Sequence, residues 1–482
     1  MHIPMFETRI AAGRPVMTRD ELRSLCTRIL GMTSADVASV NVRHTARVIT
    51  RVANGQMLTS DDGDELRIDI STRFGARAGA QIETNQLDDT TLRSAIERCE
   101  AIAREGMGYD IEILPERYVQ DTFVQTRLWH ESTVEAMQHV RATIVPQVLA
   151  TVAKAKLRGS SFVGLMAQVD GVLSKDGLWG MNEETDSEVT VTARTLDGKS
   201  SGWAGQAERN WASVNGETIA AQAIDLALRG ANPTAIEPGR RTAILGPAAV
   251  AQIMRFLGDE LEAYSTDLGH TGFSRKPRGN KLRQRVFDPR IDIWSDPADP
   301  MGGYSPYILG GSAFTSPCAT PAMSWIKQGV LENLQYDIFG AMEHGKQYST
   351  HADSLHMQGG DESIEQMIAR CDDGIYVNRF SSVDMLDQST CMTTGVTRDG
   401  CFLVRHGKID RPVKNFRFLE SPFFFLNRLQ GLGPAVRAAF GYTPPSPYER
   451  SASRTISWPR PPMVVPPLMV QDFNFNALND AV

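Results

Sequence analysis

Residues 374–418 read GIYVNRFSSVDMLDQSTCMTTGVTRDGCFLVRHGKIDRPVKNFRF. The pairs Asp399-Gly400 and His406-Gly407 stand between short runs rich in Val, Phe, Leu and Ile. Such pairs supply the positive φ that a hairpin turn requires, so the spacing predicts strand, turn, strand, turn, strand. Working outward, Thr242 to Leu245 predicts a strand and Pro247 to Tyr264 a helix, with proline tolerated in its first turn. Ala322 to Tyr336 predicts a hairpin across Lys327 to Gly329. The Pro-rich tract Tyr442 to Pro467 cannot donate a regular ladder, which predicts an extended excursion over the surface.

Upstream the pattern mixes helices and strands. Thr18 and Glu21 have capping-box spacing, and Leu22, Leu25, Cys26, Ile29 and Leu30 share one helical face. Alternation over Val37 to Val52 leads to Asn54-Gly55, a polar turn is expected at Asp61 to Asp64, and strands follow over Glu65 to Phe74 and Ala76 to Glu83. Asp89 is placed to cap a second helix with Leu92, Ile96, Cys99 and Ile102/Ala103 in its stripe. A third helix is predicted over Ser132 to Lys156, bent near Pro146, then strands around Ser161 to Val169 and Val189 to Thr195. Glu217 to Arg229 reads as a helix stopped by Gly230. The run ANPTAIEPGR, 231–240, concentrates Pro, Gly and polar residues and marks a boundary. The fold class is therefore α+β: an N-terminal α/β-type domain of mixed helices and meander strands over 1–235, and a largely antiparallel β domain over 236–482.

Bulk properties narrow the function classes. At 482 residues the chain exceeds what one hydrophobic core serves, and 41% hydrophobic with 22% charged residues is ordinary globular composition. A net charge of -7 without blocks of like charge argues against a nucleic-acid footprint. The six cysteines show no C-x-x-C, as expected of reduced thiols in a cytoplasmic protein. No window approaches the roughly 18 uninterrupted apolar residues of a membrane span, and the N-terminus lacks the apolar region of a signal peptide.

Five blocks, in order, carry a family likeness: TARTLDGKSSGWAG (192–205), PGRRTAILGP (238–247), WSDPADP (294–300), TRDGCFLVRHGKIDRPVKNFRF (397–418) and VQDFNFNALNDAV (470–482). They resemble the TldD/TldE (PmbA) family, once called modulators of DNA gyrase and regarded as metallopeptidase subunits. The resemblance implies a two-domain α+β architecture, a dimer, and an assembly that admits small or unfolded peptides. The catalytic branch carries H-E-x-x-x-H on the helix after the strand matching Thr242 to Leu245. Two histidines so spaced share a helix face and hold zinc while Glu polarises water. Here that region is AAVAQIMRFLGDELEAY (248–264), without histidine, and the last cysteine is Cys401, far from the C-terminal Cys ligand the catalytic branch supplies. The resemblance thus points to the TldE/PmbA branch, with no catalytic residue and no cofactor of its own, zinc residing in a TldD-type partner. The partner is that subunit, or self in a homodimer, with peptide as substrate and no nucleic acid or membrane.

His130-Glu131 and His139 lie nine residues apart, on opposite faces of one helix, which disfavours a shared metal. His344, His351 and His356 are the remaining metal candidates, in a loop of loose spacing that reads first as a surface loop near a peptide cavity. Gly340 to Lys346 has P-loop spacing, but Gln347 stands where Ser or Thr would hold Mg²⁺. Cys391 and Cys401 read as inert buried thiols, and Asp259, Glu260 and Glu262 as a solvated helix end. Tyr304, Tyr307 and Phe314, flanked by glycines, are the candidate peptide contacts. Two further readings stay open: an autonomous hydrolase with a loop metal site, and a stand-alone homodimeric peptide-binding protein.

Overall fold

The computed structural model describes residues 13–75, 78–106, 123–308, 318–346, 349, 352, 354–441, 458 and 460–479. The first half is built on β1 (Val37–Ala53), β2 (Gln56–Arg73), β3 (Ala80–Thr84), β4 (Arg158–Ser174), β5 (Trp179–Arg194) and β6 (Ser201–Glu208). They form one antiparallel sheet in the order β3-β2-β1-β4-β5-β6. Its helices are α1 (Arg19–Leu30), α2 (Asp89–Glu105), α3 (Glu131–Met137), α4 (Val140–Lys154) and α5 (Gly216–Arg229).

α1 forms where the sequence predicts it: Thr18 and Glu21 close the capping box, and Leu22, Leu25, Cys26 and Ile29 are buried. Each such Leu or Ile stabilises by about 1.5–3 kcal/mol. They pack on Val163, Leu165, Ala167 and Val169, the alternate residues of one face of β4. α5 presses close to β6 through small residues. A Cβ at Gly202 would lie 2.2 Å from the Ala223 carbonyl oxygen.

Several local expectations are corrected. Asp61 to Asp64 do not turn; they sit in β2 opposite Ala46 to Ile49, and the turn is at Asn54-Gly55. Their charges are met by other elements, Asp61 by Arg47 of β1 at 3.0 Å, Asp62 by Arg141 of α4 at 2.7 Å and Asp64 by His44 of β1 at 2.6 Å. The residue capping α2 is Asp88, whose side chain accepts the Thr91 amide. The predicted Ser132–Lys156 helix is two helices broken at Gln138-His139, while Pro146 is carried inside α4. His130 and His139 are therefore the N-caps of separate helices, not two faces of one.

The second half contains β7 (Gly239–Leu245), β8 (Ile293–Ser295), β9 (Tyr307–Ile308), β10 (Cys318–Ala319), β11 (Met323–Lys327), β12 (Val330–Leu331), β13 (Leu355–Met357) and β14 (Asp373–Asp387). It continues through β15 (Met392–Arg405), β16 (Lys408–Pro412), β17 (Asn415–Glu420), β18 (Leu429–Leu432), β19 (Val436–Arg437), β20 (Met463–Val465) and β21 (Leu468–Asn479). The path β14-β7-β21-β17-β15 is closed by pairing of β14 with β15, which makes a small barrel. Phe380, Phe416, Phe418, Phe473 and Phe475 fill it, with Phe380 and Phe418 centroids 4.3 Å apart. A second sheet runs β12-β11-β8-β13-β20-β19. The predicted hairpin at Lys327 to Gly329 is present between β11 and β12. The stretch Pro247 to Tyr264 is shorter helices, beginning with α6 (Pro247–Met254). Of the Pro-rich tract, Trp458 and Met463 to Val465 are buried, the latter as a strand parallel to β13. Residues 442–457 lie outside the described residues.

The opening stretch makes its strands, with one turn placed differently. His406-Gly407, at φ 49° and 75°, joins β15 to β16. Asp399-Gly400 lies within β15: Val377 pairs with Cys401 and Arg379 with Arg398, so two residues face one and form a bulge. Its positive φ turns the Asp399 carboxylate inward, where Arg379 Nε donates at 2.7 Å and Ser201 of β6 also donates. Asn378 Nδ2 bonds both the Asp399 carbonyl and the Trp203 carbonyl, fastening the barrel to the first sheet.

Burial pushes the Asp399 carboxyl up, but Arg379 and Ser201 outweigh it and hold it below the usual range. Replacing Asp399 with Ala is expected to cost about 3 kcal/mol, because Arg379 loses its counter-charge, and urea unfolding measures it. The pair's contribution is present above the ordinary carboxyl pKa and is lost as pH falls through the lowered one.

Candidate functional site

A cleft of about 750 Å³ opens between the halves. α5 contributes Asp225 and Arg229, the start of α6 contributes Pro247 and Ala248, and β14 contributes Tyr376 and Asn378. Trp203 and Gly205 of β6 and Arg437 of β19 complete the walls used below. Arg437, 9% exposed, donates to Asp186 at 2.5 Å. Its second terminal nitrogen, Nη1, is buried without a hydrogen bond. Asp225 and Arg229 pair at 3.0 Å along one helix face. Burial pushes the Tyr376 hydroxyl up to about 12, so it stays a neutral donor. The cleft offers apolar walls, amide groups and a cation.

Behind Arg437 runs a row of buried charge that sequence reasoning missed. Glu184, Asp186 and Glu188 project from one face of β5, with Arg209 3.2 Å from Glu184. Glu188 accepts from the amides of Phe440 and Gly441 and from Trp458 Nε1 at 3.1 Å. Carboxylates at alternate positions of a strand, E-T-D-S-E over 184–188, were the available signal.

The predicted site residues fall in different places. His344 is exposed at the end of the helix Ile338–His344, its ring centroid 5.7 Å from that of Tyr336. His356 lies on β13 with Nδ1 bonded to Asp299 and its ring stacked 4.1 Å from Trp294. Burial pushes the Asp299 carboxyl up, but His356 and the amides of Met301 and Gly302 prevail and hold it low. His351 and Phe314 lie outside the described residues. Tyr307 is buried and donates to Asp170 at 2.9 Å, joining β9 to β4, and Tyr304 is half-buried nearby in sequence. Among the described residues no group of three His, Cys, Asp or Glu side chains is arranged to hold a metal. Nor is any helix among them long and apolar enough to cross a membrane.

Residues 238–477 match the family described as the PmbA/TldA metallopeptidase C-terminal domain. The chain belongs to the TldD/TldE (PmbA) family. Its fold is similar to that of a Thermotoga maritima protein named as a candidate modulator of a DNA gyrase, at TM-score 0.75 and 14% identity, covering 95% of this chain and 100% of that one. TldE from Thermococcus kodakarensis is similar at TM-score 0.75 and 14% identity over 94% of this chain and 99% of that one. At such identities the likeness concerns fold alone. A stretch of 84 residues is 27% identical to the 16.9 kDa class I heat shock protein 1 of Triticum aestivum, covering 17% of this chain and 56% of that protein. The chain thus spans little more than half of that relative.

The family's metallopeptidase chemistry can be tested against the segment after β7. In α6, Ala249, Val250, Ala251, Ile253 and Met254 are at most 1% exposed and lie in the barrel-side core. None of these side chains can donate to zinc, so the residues present do not fit the metal. Glu260, expected in solvent, is instead fully buried, its Oε2 accepting the Gly272 amide at 2.6 Å. Burial, with Asp259 and Asp387 nearby, pushes its pKa up to about 8. Cys391, also buried, is raised as well, so its thiol stays protonated.

The protonated folded form of Glu260 binds a proton that the unfolded chain releases near pH 4.5. Stability from this group is therefore complete below that pH and falls through pH 8, by up to about 1.4 kcal/mol per unit. Glu260→Gln is expected to flatten that slope in urea unfolding measured across pH. An unchanged slope would show that Glu260 is ionised in the fold.

Proposed function

We propose that this chain is the TldE-type, catalytically silent subunit of a TldD/TldE zinc metallopeptidase that acts on small or unfolded peptides. The observation that carries this reading is the apolar segment after β7. Where the catalytic branch is expected to place its ligands, this chain places Ala, Val, Ile and Met side chains in the core. The fold likeness to a protein named TldE supports it. On this reading the partner supplies zinc and the water-polarising carboxylate, while this chain supplies enclosing surface and the cleft beside Arg437. Family membership makes the peptide the proposed substrate class.

The purified chain is expected to bind no stoichiometric zinc and to cleave no peptide, by elemental analysis and a peptide digest read by mass spectrometry. One tightly held zinc per chain, lost when His344, His351 and His356 are all changed to Ala, would favour the autonomous hydrolase instead. Mixing with a TldD-type subunit is expected to produce peptidase activity and a heterodimer in light scattering. Full activity of that subunit alone would count against the division of labour.

A further inference from the structure

A strongly basic stretch lies outside the cleft at residues 275–285, RKPRGNKLRQR. Six of its eleven residues are Arg or Lys and none is acidic, in a chain of net charge -7, and the six are interleaved with Pro, Gly, Asn, Leu and Gln. Three of them are answered from within the fold: Arg283 by Glu332, Arg285 by the Gln328 carbonyl at 2.9 Å and Lys281 by the Gly272 carbonyl at 2.7 Å. The other three, Arg275, Lys276 and Arg278, are exposed around a single turn. Among the described residues Arg275 and Arg278 have no side-chain hydrogen bond or ion pair. Lys276 lies near Asp387, whose carboxyl Thr390 and Ser389 hold low with help from that lysine.

The backbone of this turn is fixed by its stem. The Arg275 amide donates to the Gly279 carbonyl at 2.8 Å and the Gly279 amide to the Asp267 carbonyl at 2.9 Å, with Gly279 at φ 96° allowing the reversal. Asn280 Nδ2 donates to the Asp267 carboxylate at 2.6 Å, and Ser274 Oγ to the Thr266 carbonyl at 2.6 Å. Below it Phe273 is fully buried, its ring centroid 4.8 Å from that of Phe423. The bonds to Thr266 and Asp267 fasten the turn to the short helix Ala263–Asp267. That helix leaves Tyr264 73% and Leu268 36% exposed. The Leu268 amide donates to the Tyr264 carbonyl, so the two side chains stand one helical turn apart on one face. A charge run that serves only solubility needs neither a fixed stem nor apolar side chains exposed beside it. Arg and Tyr are residues that protein interfaces concentrate, and a backbone fixed beforehand loses less entropy on contact.

We propose that the turn at 275–279, with the neighbouring Tyr264 and Leu268, is a docking surface for an acidic, unfolded polypeptide segment. Arg275, Lys276 and Arg278 take its carboxylates, and Tyr264 and Leu268 take an apolar side chain between them. Carboxylates of this chain border the surface, Glu262 at the start of the short helix and Asp387 beside Lys276. A continuous phosphate backbone running past the turn would meet that negative border, whereas a short acidic segment engages the turn alone. The surface stands apart from the cleft, goes beyond the subunit reading and needs neither metal nor partner subunit.

The test uses the full chain alone and a fluorescein-labelled peptide in which every third residue is Leu and the rest are Glu, read by fluorescence anisotropy over a salt series. Binding is expected to weaken with salt, and to fall about threefold in Arg275→Gln and about tenfold in Arg275→Gln/Arg278→Gln. Arg275→Lys/Arg278→Lys, which keeps the charge, is expected to retain most of the affinity. Arg98→Gln, at an exposed arginine on α2, is expected to change nothing. Tyr264→Ser is expected to weaken binding of this peptide but not of one with Ser in place of Leu. Equal affinity for the peptide with Gln in place of Glu, unchanged affinity of Arg275→Gln/Arg278→Gln, or equal loss in the charge-keeping and charge-removing pairs would each overturn the proposal. So would tighter binding of a labelled oligothymidylate than of the peptide, which would make the surface a nucleic-acid site. Because no partner or zinc is present, failure of the subunit reading leaves these outcomes unaffected.

Discussion

The buried contact between Asp399 and Arg379 joins three features that otherwise have separate origins. It occupies a bulge in the barrel, it receives Ser201 from the first sheet, and its Arg379 lies 5.0 Å over the Trp203 ring of β6. A buried carboxylate is tolerated only when its lone pairs are answered, and here the answers come from both halves of the chain. The relative placement of α5, β6 and the barrel therefore rests on a charge that neither half could bury alone. Gly202 allows α5 to lie close enough to β6 for this to happen.

The first sheet has two faces of opposite character. One is covered by helices and packed with Val, Leu and Ala in the ordinary way. The other meets the second half largely through polar contacts: Asp170 with Tyr307, Asp186 with Arg437, and Glu188 with the amides of Phe440 and Gly441 and with Trp458. Such contacts need matched geometry more than contact area, so they specify how the halves meet while adding little net stability. A patch of Phe162, Met166, Ile49 and Trp458 supplies apolar contact within that face.

Much of the architecture was legible because it depends on local chemistry. The capping box of α1 and the glycine turn at His406-Gly407 each act within a few residues. The misreadings have a common physical cause. Asp61 to Asp64 look like a turn until Arg47, Arg141 and His44 arrive from other elements, and Glu260 looks solvated until the chain around Gly272 folds over it. Asp399-Gly400 is legible as a positive-φ pair, but whether such a pair turns a chain or bulges it is decided by the partner strand. The facing of Arg158 and Arg194 was invisible for the same reason, since only strand register sets one opposite the other.

The barrel also sets the order in which the chain can become complete. β21 lies between β7 and β17, and β7 is separated from it by nearly the whole second half. Closing so long a loop must precede the contacts that reward it. Until it closes, Phe416, Phe418 and the sheet edges of β7 and β17 have no cover, which is the condition that favours pairing with other chains. During synthesis the second half would therefore remain vulnerable to aggregation until its last described strand has emerged, whereas the first sheet, whose strands are all earlier, can assemble ahead of it.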